Sequence, residues 1–442
     1  MKKTKRKLSS SQIIILGFAA MILAGSLLLT LPFATRDGLG APFLDALFTA
    51  TSAACVTGLI VQDTASYWTV FGQGVILALI QVGGMGVVTF AVLIFTAAGQ
   101  RLTLRQRGTM QEAIAAPKIG GIVRLTGFII AATAAFELAG AALLAPVFCR
   151  EFGLAGGLWR SLFHSISAFC NAGFDLMGTR VPFSSLTAFA AHPWVNIVIM
   201  LLIIIGGISF TTWDDVRTNR LRLRRYRMQS KVILVTTLLL ITLPALYFFF
   251  FEFAGLPFGQ RLWGSLFQSV TARTAGFNTL DLNWMSEGGQ GIMILLMLTG
   301  GAPGSTAGGL KVTTLAVLLS TALSVIRRRE YTHFFGRRID HDVVKNAATI
   351  LLMYLVLFFF GGLAISIAEG LPMITCLFET ASAVGTVGLT LGITPSLGTF
   401  SRIILILLMF FGRVGGLTLI FAALSGSRKI SAKLPQEKLT VG

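Results

Sequence analysis

The sequence predicts an all-α, multi-pass membrane protein: four tandem helix–pore loop–helix units, eight spanning helices around one pseudo-fourfold pore. Three observations carry that prediction. Of 442 residues, 54% are hydrophobic and only 12% charged, against about 25% charged in soluble globular chains. This excludes a soluble enzyme and a disordered chain. Eight apolar runs approach or exceed the ~20 residues a spanning helix needs. Between alternate pairs of runs lie four shorter apolar pieces that share one signature.

In chain order the long runs are Ile13–Leu31, Gln73–Ala97, Ile122–Phe148, Trp194–Phe210, Val232–Phe253, Gly291–Ile326, Val343–Ala368 and Ser401–Leu424. The first follows five basic residues and resembles a signal peptide, but its core exceeds the ~7–15 residues of such a segment and further spans follow. The short pieces are Phe43–Ala54, Leu158–Phe169, Arg261–Ala272 and Pro372–Ala383, each about a dozen residues and too short to cross. The expected organisation is an inner tail (1–12), four units (13–100, 101–216, 217–330, 331–425) and a second inner tail (426–442).

Charge sets the orientation. The net charge is +18, and five segments (the N-terminal tail, Arg101–Arg124, Arg217–Lys231, Arg327–Lys345 and the tail from Arg428) hold 27 of the 36 Lys and Arg residues. Basic loops stay in the cytoplasm, so both termini are expected inside and the four short pieces outside. Trp68, Trp159, Trp194, Trp263 and Trp284 fall near the outer boundary, as an aromatic belt would. The arginine-rich loops lie between spans. They read as faces for anionic lipid or a docked protein rather than for nucleic acid. Four cysteines make no disulfide framework.

The short pieces align as repeats. Each opens Leu-Phe (Leu47-Phe48, Leu162-Phe163, Leu266-Phe267, Leu377-Phe378), passes Ser/Thr-Ala, and ends at Gly58, Gly173, Gly276 or Gly388. The third is one residue shorter, and the glycines lie 115, 103 and 112 residues apart. Each piece precedes a span with a mid-helix glycine cluster (Gly83-Gly84, Gly206-Gly207, Gly300-Gly301, Gly412). A short helix entering from outside points its partially negative C-terminus inward. Non-helical backbone at membrane depth persists only where protein buries it or water reaches it. Four such loops on one axis present carbonyl oxygens that can replace a cation's water shell. Glycine is the residue that permits the required turn.

Thr386-Val387-Gly388 resembles the threonine-valine-glycine core of potassium-channel filters. Val56-Thr57-Gly58, Asn171-Ala172-Gly173 and Thr274-Ala275-Gly276 look like its degenerate relatives. The chain is thereby similar to the Trk/Ktr/HKT superfamily of potassium transporters over roughly Ile13 to Leu424. It looks most like the membrane subunit of bacterial Ktr systems, because it starts at its first pore unit without leading helices. The resemblance implies potassium uptake through these twelve residues, with K+ held at the filter carbonyls only, no cofactor on this chain, and no enzymatic activity. It also implies a homodimer bound to a cytosolic nucleotide-binding regulatory ring, and sodium as an activator in some members. Serine at the first filter position accompanies sodium transport in the family, so Gly58 favours potassium. A sodium-permeable or sodium-coupled transporter of the same superfamily is the alternative.

The second span of unit three contains Gly300-Gly301-Ala302-Pro303-Gly304-Ser305-Thr306-Ala307-Gly308-Gly309-Leu310-Lys311. Glycine costs a helix about 1 kcal/mol and proline about 3, so the helix is expected to break there. A phosphate-binding loop fails by spacing, since Leu310 stands where lysine is required. A static kink or a polar plug below the filter remains, and in the resembling family this segment is the intramembrane gate. Arg413, about 12 residues into the last run, is too deep to snorkel easily and is expected level with the loop, facing a cavity or a partner. Glu137 reads as a hydrogen-bonded packing residue, Cys55 and Cys170 as buried thiols behind the filter, and His164 and Glu379 as orienting groups. A secondary transporter with inverted repeats and a membrane enzyme are the rivals. The four repeats run parallel, and the four histidines are scattered.

Overall fold

The computed structural model describes residues 9–90, 103–113, 121–220 and 222–415. Both predicted tails beyond those limits, the ends of the second and last runs and part of the first basic loop lie outside the described residues; the described part of that loop holds α4 (Leu104–Ala113).

Each repeat begins with a long apolar helix: α1 (Ser10–Leu29), α5 (Ile122–Phe152), α9 (Met228–Tyr247, prolonged by one wider turn through Glu252) and α13 (His341–Glu369). All four are long and apolar enough to cross a membrane. Their outward faces carry exposed leucines such as Leu27, Leu243 and Leu352, which suits a helix whose outer solvent is lipid. Ser9 opens α1 with a capping box closed by Gln12. Pro244 near the end of α9 withdraws one N–H from the ladder, and the wider turn at Phe248–Glu252 follows.

The four short pieces are the helices α2 (Phe43–Ala54), α6 (Leu154–Phe169), α10 (Phe258–Thr271) and α14 (Met373–Gly385). They are amphipathic, and their C-terminal halves are buried in the centre of the molecule. Their phenylalanines Phe48, Phe163, Phe267 and Phe378 are fully buried and anchor one continuous core.

The second helices depart from the expectation of three unbroken spans and one broken one. All four stop beside their glycine clusters. α3 (Val70–Met85) ends at Gly86, with φ +86°. α7 (Pro193–Gly207) ends at Ile208-Ser209, and α8 (Phe210–Asn219) leaves at 98° to it. α11 (Glu287–Leu298) and α12 (Val312–Ile326) flank the glycine-rich loop, and α15 (Thr399–Val414) ends at Gly415, φ +89°. The cause is in the glycine clusters. Gly83, Gly206 and Gly412 press against the backbone carbonyls of Ala54, Phe169 and Val384 near the ends of the short helices, and Gly300 against Gly308 and Leu310 of the loop. A side chain at any of the four would collide with backbone.

The ends of the helix pairs are tied by polar contacts. Glu252 accepts from the N–H and hydroxyl of Ser286 at the start of α11, and Glu369 does the same for Gly398 and Ser401 at the start of α15. Arg402 of the last repeat reaches Asp45 of the first at 2.7 Å, closing the ring across 357 residues. A small hairpin not anticipated from sequence, His333–Phe334 paired with Arg337–Arg338, lies between α12 and α13.

Candidate pore and gate

The four candidate filter segments follow directly on the C-termini of the short helices. Val56, Asn171, Thr274 and Thr386 all have positive φ (51°, 55°, 74° and 51°) although none is glycine. Three of them are β-branched, for which this conformation is a genuine outlier costing about 1–2 kcal/mol each. Two residues later Gly58, Gly173, Gly276 and Gly388 are again positive, at 93°, 69°, 83° and 94°. Strain of this kind persists only where the surroundings over-determine it.

The surroundings repeat fourfold. Ser52, Ser167, Thr271 and Ser382 occupy one position of the signature. Ser52 and Ser382 accept from the N–H of Gly58 and Gly388 at 3.0 and 2.9 Å. Ser167 and Thr271 donate to the carbonyls of Phe174 and Phe277 at 2.7 Å. Their backbone carbonyls accept from the residue before each glycine, Thr57, Ala172, Ala275 and Val387, at 2.8–2.9 Å. Each such bond contributes about 1 kcal/mol net, so these contacts offset much of the strain. The four hydroxyls are visible in the sequence as Ser/Thr-Ala. Their role as clamps on the filter backbone is not.

The glycines close a ring. A Cβ on Gly58 would lie 2.5 Å from the carbonyl oxygen of Ala172, one on Gly173 2.7 Å from that of Ala275. One on Gly276 would strike the Val387 oxygen, and one on Gly388 the Thr57 oxygen. The contacts run from repeat one to two, three, four and back to one. Asn171 Oδ1 and the hydroxyls of Thr274 and Thr386, at the inner end of the triplets, are fully buried without a partner for those atoms. An unmet buried acceptor costs about 1–3 kcal/mol.

Above the ring lies a vestibule of about 640 Å³ whose floor is the four glycines. One signature position past Leu-Phe holds the vestibule walls. His164 lies 2.8 Å from the Arg160 carbonyl and accepts from the Leu176 N–H, Gln268 donates to Asn278, and Glu379 accepts from Thr390 and Thr394. The orienting role expected of His164 and Glu379 thus has a geometry: they hold the segment that leaves the filter.

Below the ring the broken second helices leave carbonyls without helical partners, and the loop between α11 and α12 takes them up. Ala302 and Thr306 donate their N–H groups to Gly207 and Gly206 at 3.0 and 3.2 Å, and Gly309 donates to Gly412 at 3.3 Å. Gly304 accepts from Phe210 at 2.7 Å. The Thr306 hydroxyl reaches the carbonyls of Phe169 and Gly206 at 3.0 and 2.9 Å and accepts from the Asn171 amide of the second filter segment at 3.0 Å. Gly308 packs on the Thr386 side chain of the fourth segment. Lys311 donates back to Ala307 and Gly308, at 2.8 and 3.2 Å. Arg413 spans the level of the loop, donating to the carbonyls of Thr306, Gly83 and Gly84. Gly300 and Gly301 pair with Leu310 and Val312 at the loop's neck, and Pro303 and Ser305 face a cavity of about 260 Å³ beneath it, together with Lys311 and Arg413.

Glu137 is buried behind the second filter segment, accepting from Gln81 at 3.1 Å, with the Cys170 thiol at 3.8 Å. Cys55 and Cys170 are buried free thiols, and no group of metal-binding side chains occurs among the described residues.

Such an arrangement defines a helical integral membrane protein organised around a single axial ring of re-entrant segments. Residues 3–433 match the TrkH family of cation transport proteins, and the chain belongs to that family of transporters, not enzymes. It is 42% identical over 417 residues to Ktr system potassium uptake protein B of Bacillus subtilis, covering 93% of this chain and 92% of that protein. It is 38% identical over 452 residues to potassium/sodium uptake protein NtpJ of Enterococcus hirae, covering 100% and 99%. The crystal structure of the potassium transporter TrkH from Vibrio parahaemolyticus shares the fold, with a TM-score of 0.75 at 20% identity, over 95% of this chain and 86% of that one.

Proposed function

We propose that this protein takes up potassium across the cytoplasmic membrane through the ring formed by Val56-Thr57-Gly58, Asn171-Ala172-Gly173, Thr274-Ala275-Gly276 and Thr386-Val387-Gly388. Residues 300–309, with Lys311 and Arg413, gate it from below. The observation that carries this reading is the closed ring in which each filter glycine packs against the carbonyl preceding the next. Carbonyls held at a fixed spacing replace an ion's hydration shell without side-chain charge. The relatives named as potassium uptake proteins support potassium as the cargo. The loop supports gating because its hydrogen bonds outside itself go to the broken helices, the Phe169 carbonyl at the end of α6, Arg413 and Asn171. All of these can be exchanged for water.

A homodimer carrying a cytosolic nucleotide-binding ring is the assembly we propose. The word "system" in the relatives' names supports it, as do the exposed arginines Arg222, Arg224 and Arg225 between α8 and α9. The Enterococcus relative, named for potassium and sodium, favours a second reading in which sodium also passes. The test is flux from purified protein in liposomes at clamped voltage. Potassium and rubidium flux well above sodium and lithium is expected, and sodium flux equal to potassium would replace this reading by the second.

A further inference from the structure

The chain carries +18, yet the only charged residues among those lining the vestibule are two acids, Asp175 and Asp281. The residue two places past each filter glycine forms a second ring above the first: Ile60, Asp175, Asn278 and Thr390, all on the vestibule wall. Three of the four are settled. Ile60 is apolar, Asn278 is held by Gln268 at 2.8 Å, and Thr390 donates to Glu379 at 2.8 Å. Asp175 alone brings charge to this ring. One of its oxygens accepts from the Met177 N–H at 2.9 Å, and no basic group pairs with it among the described residues.

The neighbouring charges do not supply a partner. Asp63 of the first repeat is filled by the N–H groups of Ala65, Ser66 and Phe183. Arg160 donates to the Leu176 carbonyl and stacks on Phe152. Asp281 caps a turn through Asn283. Thr279, 2% exposed and lining the same cavity, has a buried hydroxyl without a partner. A half-buried carboxylate on the vestibule wall, without a basic partner among the described residues, describes a place where a cation completes the contacts.

We propose that Asp175 is an outer capture site for the transported monovalent cation. Its carboxylate receives the ion, still largely hydrated, above the Gly173 quarter and delivers it to the glycine ring. The proposal rests on the reading that this ring conducts potassium. Because the carboxylate lies outside the ring, it acts on the concentration of ions at the entrance and leaves their discrimination unchanged.

The experiment is rubidium tracer uptake as a function of external concentration, with the full-length protein in liposomes. Asp175→Asn is expected to raise the half-saturating concentration about three- to tenfold, the effect of one charge at 5–6 Å in a wet cavity. Maximal rate and potassium-to-sodium ratio should hold, and Asp175→Glu should resemble the native protein. Added N-methylglucamine chloride should raise half-saturation in the native protein and much less in Asp175→Asn. That salt dependence tests the proposal even if the asparagine variant does not fold. Unchanged half-saturation in a folded Asp175→Asn protein overturns the proposal. So does equal impairment by Glu and Asn, a changed ion ratio, or native uptake indifferent to ionic strength. Absence of potassium-selective flux in the native protein overturns the reading of the ring itself, and the proposal with it.

Discussion

Replacing Thr306 by valine removes one oxygen and keeps the shape, which makes it the cleanest perturbation of the proposed gate. Thr306 is completely buried. Its hydroxyl donates toward the carbonyls of Phe169 and Gly206 and accepts from the Asn171 amide. The substitution removes one bond of about 1 kcal/mol to a carbonyl and strands a buried amide donor at about 1–3 kcal/mol. Asn171 keeps a weak contact to the Phe169 carbonyl at 3.5 Å, so the lower half of that range applies. The loop-in state should lose about 2–3 kcal/mol relative to a withdrawn loop, a shift of roughly 30–150-fold in that equilibrium. Rubidium flux without any cytosolic partner should therefore rise by at least an order of magnitude, while the rubidium-to-sodium ratio changes little because the four glycines are untouched. Liposome flux on protein shown to be monodisperse and folded reads both quantities. Flux no higher than that of the native protein would refute the argument and make the loop a fixed structural brace.

Arg413→Ala frees three carbonyls and removes a charge that opposes a cation by about 4 kcal/mol at 4 Å and an effective dielectric of 20. Flux should rise, Arg413→Lys should rise less, and deleting Ala302–Ala307 should rise most. Gly58→Ser places a side chain against the Ala172 carbonyl at φ +93°, and reversal-potential measurements should show a lowered potassium preference. Among the described residues, Arg402→Ala leaves Asp45 with Gln62 as its one side-chain partner. For a part-buried pair, the ring seam should weaken by about 1–3 kcal/mol, seen as a lower melting temperature in detergent. Charge reversal at Arg224 and Arg225 should weaken co-purification with a cytosolic ring, more at low salt than at high salt.

The four short helices and the position of each filter glycine were legible because a repeated signature fixes register without any knowledge of packing. α2 spans Phe43–Ala54, the limits expected from hydropathy alone. The broken second helices were legible only in repeat three, where five glycines and a proline exceed any helix propensity. At Gly86, Ser209 and Gly415 a single turn suffices, and its cause lies in backbone carbonyls of another segment, which composition does not reveal. The left-handed Val56, Thr274 and Thr386 oppose their own propensity and owe that conformation to clamps six or fewer residues earlier. The partners of Arg413 are 107 to 330 residues away. Depth in the membrane foretold that it needs partners, and tertiary structure alone supplies their identity.

The ring of glycines, each seated on the carbonyl of the next repeat, comes from one gene copy read once. In a pore assembled from four identical subunits any mutation arrives in quadruplicate, and a mild change at one position becomes a fourfold disruption. Here a codon change alters one quarter while the other three keep their spacing. On the proposed reading, selectivity and entry affinity would change in small steps, and the four equivalent positions Ile60, Asp175, Asn278 and Thr390 already hold four different residues. Such a chain can explore ion preferences by substitutions that a symmetric tetramer would not survive.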